Sequence, residues 1–119
     1  MPKMEVVQYE TEEGEVPFAG WFDGLDTQAA LKVRTALARI EAGNLGDVKP
    51  VGEGVSERRL TFGPGYRVYF GQDGDTLVIL LTGGTKKRQS KDIERAKGFW
   101  ADYKRRKAEA EQQATRKGG

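Results

Sequence analysis

Residues 55–82 read VSERRLTFGPGYRVYFGQDGDTLVILLT, and this stretch decides the fold. Two period-2 segments, residues 55–62 and 66–70, flank Gly63-Pro64-Gly65. Pro followed by Gly suits the two central positions of a type II turn. Asp73-Gly74 marks a second reversal before the apolar run at residues 76–82. Three strands joined by short reversals make an antiparallel meander. Alternation in the middle strand puts Tyr66, Val68 and Phe70 on one face and Arg67 and Tyr69 on the other. In the first strand Arg58, Leu60 and Phe62 share a face, opposite Glu57, Arg59 and Thr61. The third strand is apolar on both faces, as a central, covered strand should be.

Upstream, residues 4–9 (MEVVQY) form a short strand, and residues 10–15 an acidic turn. Residues 16–25 predict a short helix with Phe18, Trp21, Phe22 and Leu25 at helical spacing and Pro17 in its first turn. Asp26 is placed to cap a longer helix over residues 27–42, whose apolar stripe is Ala29, Ala30, Val33, Ala36, Leu37 and Ile40. Gly43 stands at its C-terminal end. Downstream of Gly83-Gly84, Ser90 can cap a helix running to about residue 106, with Ile93, Ala96, Trp100 and Tyr103 as its stripe. From residue 104 onward there is no apolar stripe, so residues 105–119 are expected to be a charged tail, either a solvated helix extension or disordered. Residues 1–104 are expected to be one domain. The expected architecture is α+β: an antiparallel sheet covered on one face by two N-terminal helices and the C-terminal helix.

The chain has 119 residues, enough for one small core. It contains neither Cys nor His. Disulfides, iron–sulfur clusters, zinc sites and His-dependent triads are excluded with them. The longest apolar run, residues 77–81, is far short of the roughly 20 residues a membrane-spanning helix needs. The opening MPKMEVVQYETEEGE has no apolar h-region, so no secretory leader is expected and a reducing cytoplasm fits. The net charge of +2 hides an asymmetry. Residues 1–85 hold 8 cations against 13 carboxylates, a balance of −5, and residues 86–119 hold 12 against 5, a balance of +7. Such a split suits either a polyanion partner or a solvated basic helix.

Arginines on a strand need a reason more than arginines on a tail. Arg59 and Arg67 are expected to be neighbours across the hairpin, on an open face with Glu57, with Lys49 just upstream and Lys86 and Lys87 at the rim. Two rigidly held guanidinium groups can grip a phosphate and offset charge in its transition state. RNA can be cut without metal when its own 2′-OH attacks the adjacent phosphate. That route needs a base, cations and an acid. Without His, the base must be Glu57, a lysine depressed by cationic neighbours, or the substrate's own surroundings. Tyr66 or Tyr69 could stack on a base. The alternative reading of the same cluster is cross-strand ion pairing and nothing more. No phosphate-loop pattern and no set of carboxylates at metal-ligand spacing is present.

Taken together, the Phe18-x-x-Trp21 pair, the GN-x-GD-x-K loop (Gly43, Asn44, Gly46, Asp47, Lys49), the E-x-R strand (Glu57, Arg59), the GPGYRVYF hairpin, the LL-x-GG-x-K exit and the Q-x-KDI-x-x-A helix start resemble the RelE/ParE toxin superfamily. The branch they resemble is that of the HigB-like, phage-derived addiction-module killer proteins, over about residues 16–97. The resemblance implies a RelE-like fold and the toxin of a type II toxin–antitoxin pair. It implies a metal-independent endoribonuclease (an mRNA interferase) acting on mRNA in the ribosome, with no cofactor. The implied partners are mRNA, the ribosome and a cognate helix-turn-helix, HigA-like antitoxin, through which alone it would touch operator DNA. By the same resemblance Glu57, Arg59, Arg67 and Lys86 would be catalytic, with Glu57 and Lys86 joint candidates for the base. Lys49, Tyr66, Tyr69, Lys87 and Arg88 would bind RNA. The chain departs from the pattern in lacking the His several members use, and in carrying Arg58 where relatives are often apolar. A ParE-like gyrase poison and an inactive antitoxin-binding module are the alternative readings.

Overall fold

The structure, a computed structural model, describes residues 3–118, with side chains through Thr115. The elements run β1 (Glu5–Gln8), α1 (Pro17–Asp23), α2 (Thr27–Glu41), β2 (Val48–Gly52), β3 (Val55–Leu60), β4 (Tyr66–Asp73), β5 (Leu77–Thr85), a 3-10 turn (Lys86–Arg88) and α3 (Gln89–Gly118). The strands form one five-stranded sheet in the order β1-β5-β4-β3-β2. The meander is antiparallel as expected, but β1 pairs with β5 in parallel, so the sheet is mixed.

Local chemistry explains the helix ends. Asp26 caps α2, its Oδ1 accepting from the Ala29 amide at 2.8 Å. Gly43, at φ 94°, lets the chain leave α2, and the Gly43 and Asn44 amides donate to the carbonyls of Ile40 and Arg39. Pro17 occupies the first turn of α1.

The sequence reading misses β2. Pro50 argues against a strand, yet β2 lies at the sheet edge, where an absent amide costs no ladder bond. The β2–β3 hairpin closes through Glu53 (φ 55°) and Gly54 (φ 84°). Both central residues of the tight turn are left-handed, with Glu in a position that more often holds Asn or Asp. At Gly63-Pro64-Gly65 the chain turns one residue earlier than expected: the Gly65 amide closes on the Phe62 carbonyl, and Gly63 takes φ 56°.

The expectation that all helices share one face is corrected. Phe18 of α1 and Val33, Ala36 and Ile40 of α2 pack with Leu60, Val68, Phe70, Val78 and Leu80. Ala96 and Trp100 of α3 pack with Tyr9, Val55, Tyr69, Ile79 and Leu81. These strand residues alternate, so α1 and α2 cover one face of the sheet and α3 the other. Hydrophobic spacing in α3 shows which stripe is buried, not which side of the sheet receives it. Each large aliphatic side chain buried in these two layers contributes roughly 1.5–3 kcal/mol.

Two details of β5 shape the site. Register slips between Tyr69 and Phe70, so that Tyr69 faces Thr82 while Phe70 faces Leu80. The unpaired Leu81 is a bulge. Beyond it, Gly83 turns toward α1 and Gly84 toward α3. A β-carbon on Gly83 would stand 2.1 Å from the Trp21 ring, and one on Gly84 would stand 1.9 Å from Asp92 Oδ2.

The helix α3 is 30 residues long and continues without a break across residues 104 and 105. Its middle is fastened to the body. Tyr9 donates to Asp102 at 2.6 Å, Tyr103 to Asp73 at 2.7 Å, and Lys107 Nζ to Asp73 at 2.6 Å. Arg106 reaches the Glu10 carbonyl. The bond from Tyr9 holds the Asp102 carboxyl below its ordinary range, and the Lys107 ammonium does the same for Asp73. A carboxyl depressed in the folded state contributes stability in full above about pH 4, and that contribution is lost as pH falls through the depressed value. The melting temperature is therefore expected to drop between pH 5 and pH 2. The drop should be shallower in the Asp73→Asn/Asp102→Asn double variant, read by circular dichroism. Equal slopes in both proteins would show that these contacts carry no pH-dependent stability.

Candidate functional site

Pairing builds two rows of side chains on the α3 face. Arg59 stands directly across from Arg67, which in turn faces Gly84. One step along, Lys49, Glu57, Tyr69 and Thr82 face one another across four strands. The juxtaposition of Arg59 and Arg67 read from the alternation is thus present.

The openness expected of this face is not. Glu57 and Tyr69 are 0% exposed and Arg67 is 8% exposed. The reason is that α3 lies over this side and begins above the two rows. Tyr69 donates its hydroxyl to Glu57 Oε2 at 3.1 Å, and Gln89 at the start of α3 donates Nε2 to the same oxygen at 2.8 Å. Glu57 Oε1 faces Arg67 Nε at 3.8 Å, an ion pair longer than a hydrogen bond. Burial and the Glu57 charge push the Tyr69 hydroxyl well above its ordinary value, so it stays a donor. Two expected roles change accordingly. Tyr69 is sealed and cannot stack on a base. Glu57, with no exposed surface, faces Arg67 and has no path to a substrate. Tyr66 lies on the other face, against Trp21 and Phe62.

The cations form the rim. Arg67 Nη1 donates to the Tyr66 carbonyl at 3.2 Å. The Lys86 amide donates to the Gly65 carbonyl at 2.9 Å, docking the 3-10 turn onto the β3–β4 hairpin. A β-carbon on Gly65 would stand 3.3 Å from Lys86 Cβ and 3.4 Å from Arg67 Nη1. This glycine, at φ 78°, is what lets the two cationic side chains flank one point. Lys86, Lys87 and Arg88 are exposed and, with Lys91, line a shallow depression of about 480 Å³. Arg59 is 38% exposed and turned to Asp47, which it meets at 2.9 Å. Its hydrogen bond lowers the Asp47 carboxyl below the ordinary carboxylate range. Lys49 is exposed beside this group.

Two side chains of the candidate site escaped the sequence reading. Gln89 fixes Glu57, yet a glutamine before a helix start carries no periodic signal. Asp92 is 3% exposed, and its Oδ2 has no partner among the described residues. It lies over Gly84 and lines a cavity of about 750 Å³ that Trp21, Phe99, Arg88 and Arg95 also line. Burial raises its pKa.

This chain is 43% identical over 81 residues to an uncharacterized protein of Haemophilus influenzae, a match spanning 67% of this chain and 82% of the relative. No family model matches the chain.

Proposed function

The chain belongs to the same family as the Haemophilus influenzae protein, whose name states no activity, and we propose its function from the site together with the resemblance of its motifs to the RelE/ParE toxins: a type II toxin of RelE-like fold that cleaves mRNA without a metal. The observation that carries the reading is the buried Glu57 carboxylate holding Arg67, with Lys86 beside it and Arg59 across the strand pair. Burying a carboxylate to aim one arginine costs stability unless the arginine has a task.

In this mechanism the scissile phosphate sits against Arg67 and Arg59. Lys86, at the exposed rim, takes the proton from the 2′-OH in its free-amine form and becomes the ammonium. The 2′-oxygen bonds to phosphorus, and the P–O5′ bond breaks. The products are a 2′,3′-cyclic phosphate and a 5′-hydroxyl, the leaving oxygen taking a proton from the cationic rim or water. Arg67 stabilises the negative charge that builds on the phosphoryl oxygens, where one well-placed donor is worth about 10²–10³ in rate. Glu57 is a positioning residue in this scheme. Lys49, Lys87 and Arg88 contact the flanking strand. The partners proposed are mRNA on the ribosome and a helix-turn-helix antitoxin that occludes the basic rim.

Primer extension on total mRNA after induced expression tests this. New 5′ ends inside translated codons are expected. Intact mRNA accompanied by a DNA-damage response would overturn cleavage in favour of gyrase poisoning. RNA affinity is also expected to fall steeply with salt, log K losing about 0.7 per phosphate contact for each tenfold rise. A flat response in an anisotropy titration would remove the rim as the contact surface.

A further inference from the structure

A second cationic site lies on the other side of the β3 edge. Between α2 and the end of β3 is a cleft of about 340 Å³ lined by Lys32, Arg39, Asp47, Arg58, Arg59 and Phe62, among others. Four cations meet one carboxylate there, and that carboxylate is already paired with Arg59. Arg58 is only 9% exposed. Its Nη1 donates to the Arg59 carbonyl, but its buried Nε has no acceptor among the described residues. Burial and the repulsion of Arg39 lower the pKa of Arg58, partly offset by Asp47. A buried cation short of partners is a standing cost that no packing in the cleft repays.

The surroundings are arranged to keep it there. Gly46, at φ 75°, has no side chain, and a β-carbon on it would stand 2.6 Å from Arg58 Nε. The ammonium of Lys32 is held over the Phe62 ring, 5.5 Å from its centroid. The cleft is also continuous with the proposed reaction site. Arg58 and Arg59 are successive residues on opposite faces of β3. Arg59 itself lines the cleft and stands across from Arg67, and the backbone pairing beside it ends where its amide donates to the Asp47 carbonyl at 2.9 Å. A chain held at Arg67 and Arg59 can therefore continue past Asp47 into the cleft and meet Arg58.

We propose that the cleft between α2 and β3 binds a backbone phosphate of the same RNA strand, next along from the one held at Arg59 and Arg67. The inference rests on the RNA-cleaving reading. The chemistry is that of an oxyanion taken by guanidinium and ammonium groups, independent of base identity. An acidic protein segment would meet the same cations. RNA is favoured because the cleft extends the row of arginines around one strand.

The test uses the full chain and a 10-nucleotide RNA 2′-O-methylated so that it cannot be cut, titrated by anisotropy at several salt concentrations. Arg39→Gln and Lys32→Gln change exposed residues outside the reaction site, so folding is not at issue. Arg58→Gln is read alongside them once circular dichroism shows it folded. Each exposed variant is expected to weaken 10-mer binding by about 3–10-fold and to reduce the salt slope by about 0.7, the loss of one phosphate contact. Affinity for a dinucleotide, too short to span both sites, should not change. Unchanged 10-mer affinity and slope in both exposed variants would overturn the inference and leave the cleavage reading intact. So would loss of poly-glutamate or inorganic phosphate binding with RNA affinity unaltered. Wild-type protein that binds no RNA would overturn both.

Discussion

Arg67→Lys is expected to lower RNA cleavage by about 100-fold or more and to abolish growth arrest on induction, while the fold persists. The substitution keeps a cation facing Glu57 but removes the planar fork that grips a phosphate at two points. The more obvious Arg67→Ala is a poor test. It would leave the buried Glu57 carboxylate with only Tyr69 and Gln89 for company. Stripping one partner from a buried pair costs about 3–5 kcal/mol, so inactivity could report unfolding. Single-turnover cleavage of a short RNA, with a thermal melt of the same sample, separates the two. Wild-type cleavage by a folded Arg67→Lys protein would remove Arg67 from the phosphate site.

The second large effect is on stability. Gly83→Ala places a methyl group 2.1 Å from the Trp21 ring, and β5, hydrogen-bonded to β1 on one side and β4 on the other, cannot withdraw from it. Overpacking of this kind costs about 1–3 kcal/mol, or roughly 4–12 °C in melting temperature for a domain of this size. Gly98→Ala in α3 has nothing within 4 Å of the new β-carbon. It should act in the opposite direction, stabilising by about 0.5–1 kcal/mol through helix propensity. Calorimetry on the two variants compares them directly. Equal melting temperatures would show that Trp21 does not rest on Gly83.

The contrast between those glycines marks where sequence reasoning ran out. The meander, the capping by Asp26 and the cross-strand facing of Arg59 and Arg67 all follow from period-2 alternation and local turn chemistry, so they were legible. The close approach at Gly83 and Gly84 was not, because it depends on the bulge at Leu81, and a run of consecutive apolar residues conceals a one-residue slip. The depth of Glu57 was hidden for a related reason. Alternation says which face a residue takes, but not what lies over that face. Whether α3 covered the arginine side or the Val68 side decided if Glu57 was solvated or sealed, and the stripe of Ile93, Ala96 and Trp100 reads the same either way. β2 was lost because Pro50 and the Glu53-Gly54 turn each depart from the usual strand and hairpin signals.

Pro50 has one more effect. An incoming polypeptide that tried to lengthen the sheet beyond β2 would meet a position with no hydrogen to offer, flanked by the ammonium of Lys49. That border is closed to β-augmentation, both by a wanted ligand and by a misfolded copy of the same chain. Assembly by shared strands is thereby steered to the far border, where β1 runs for only four residues.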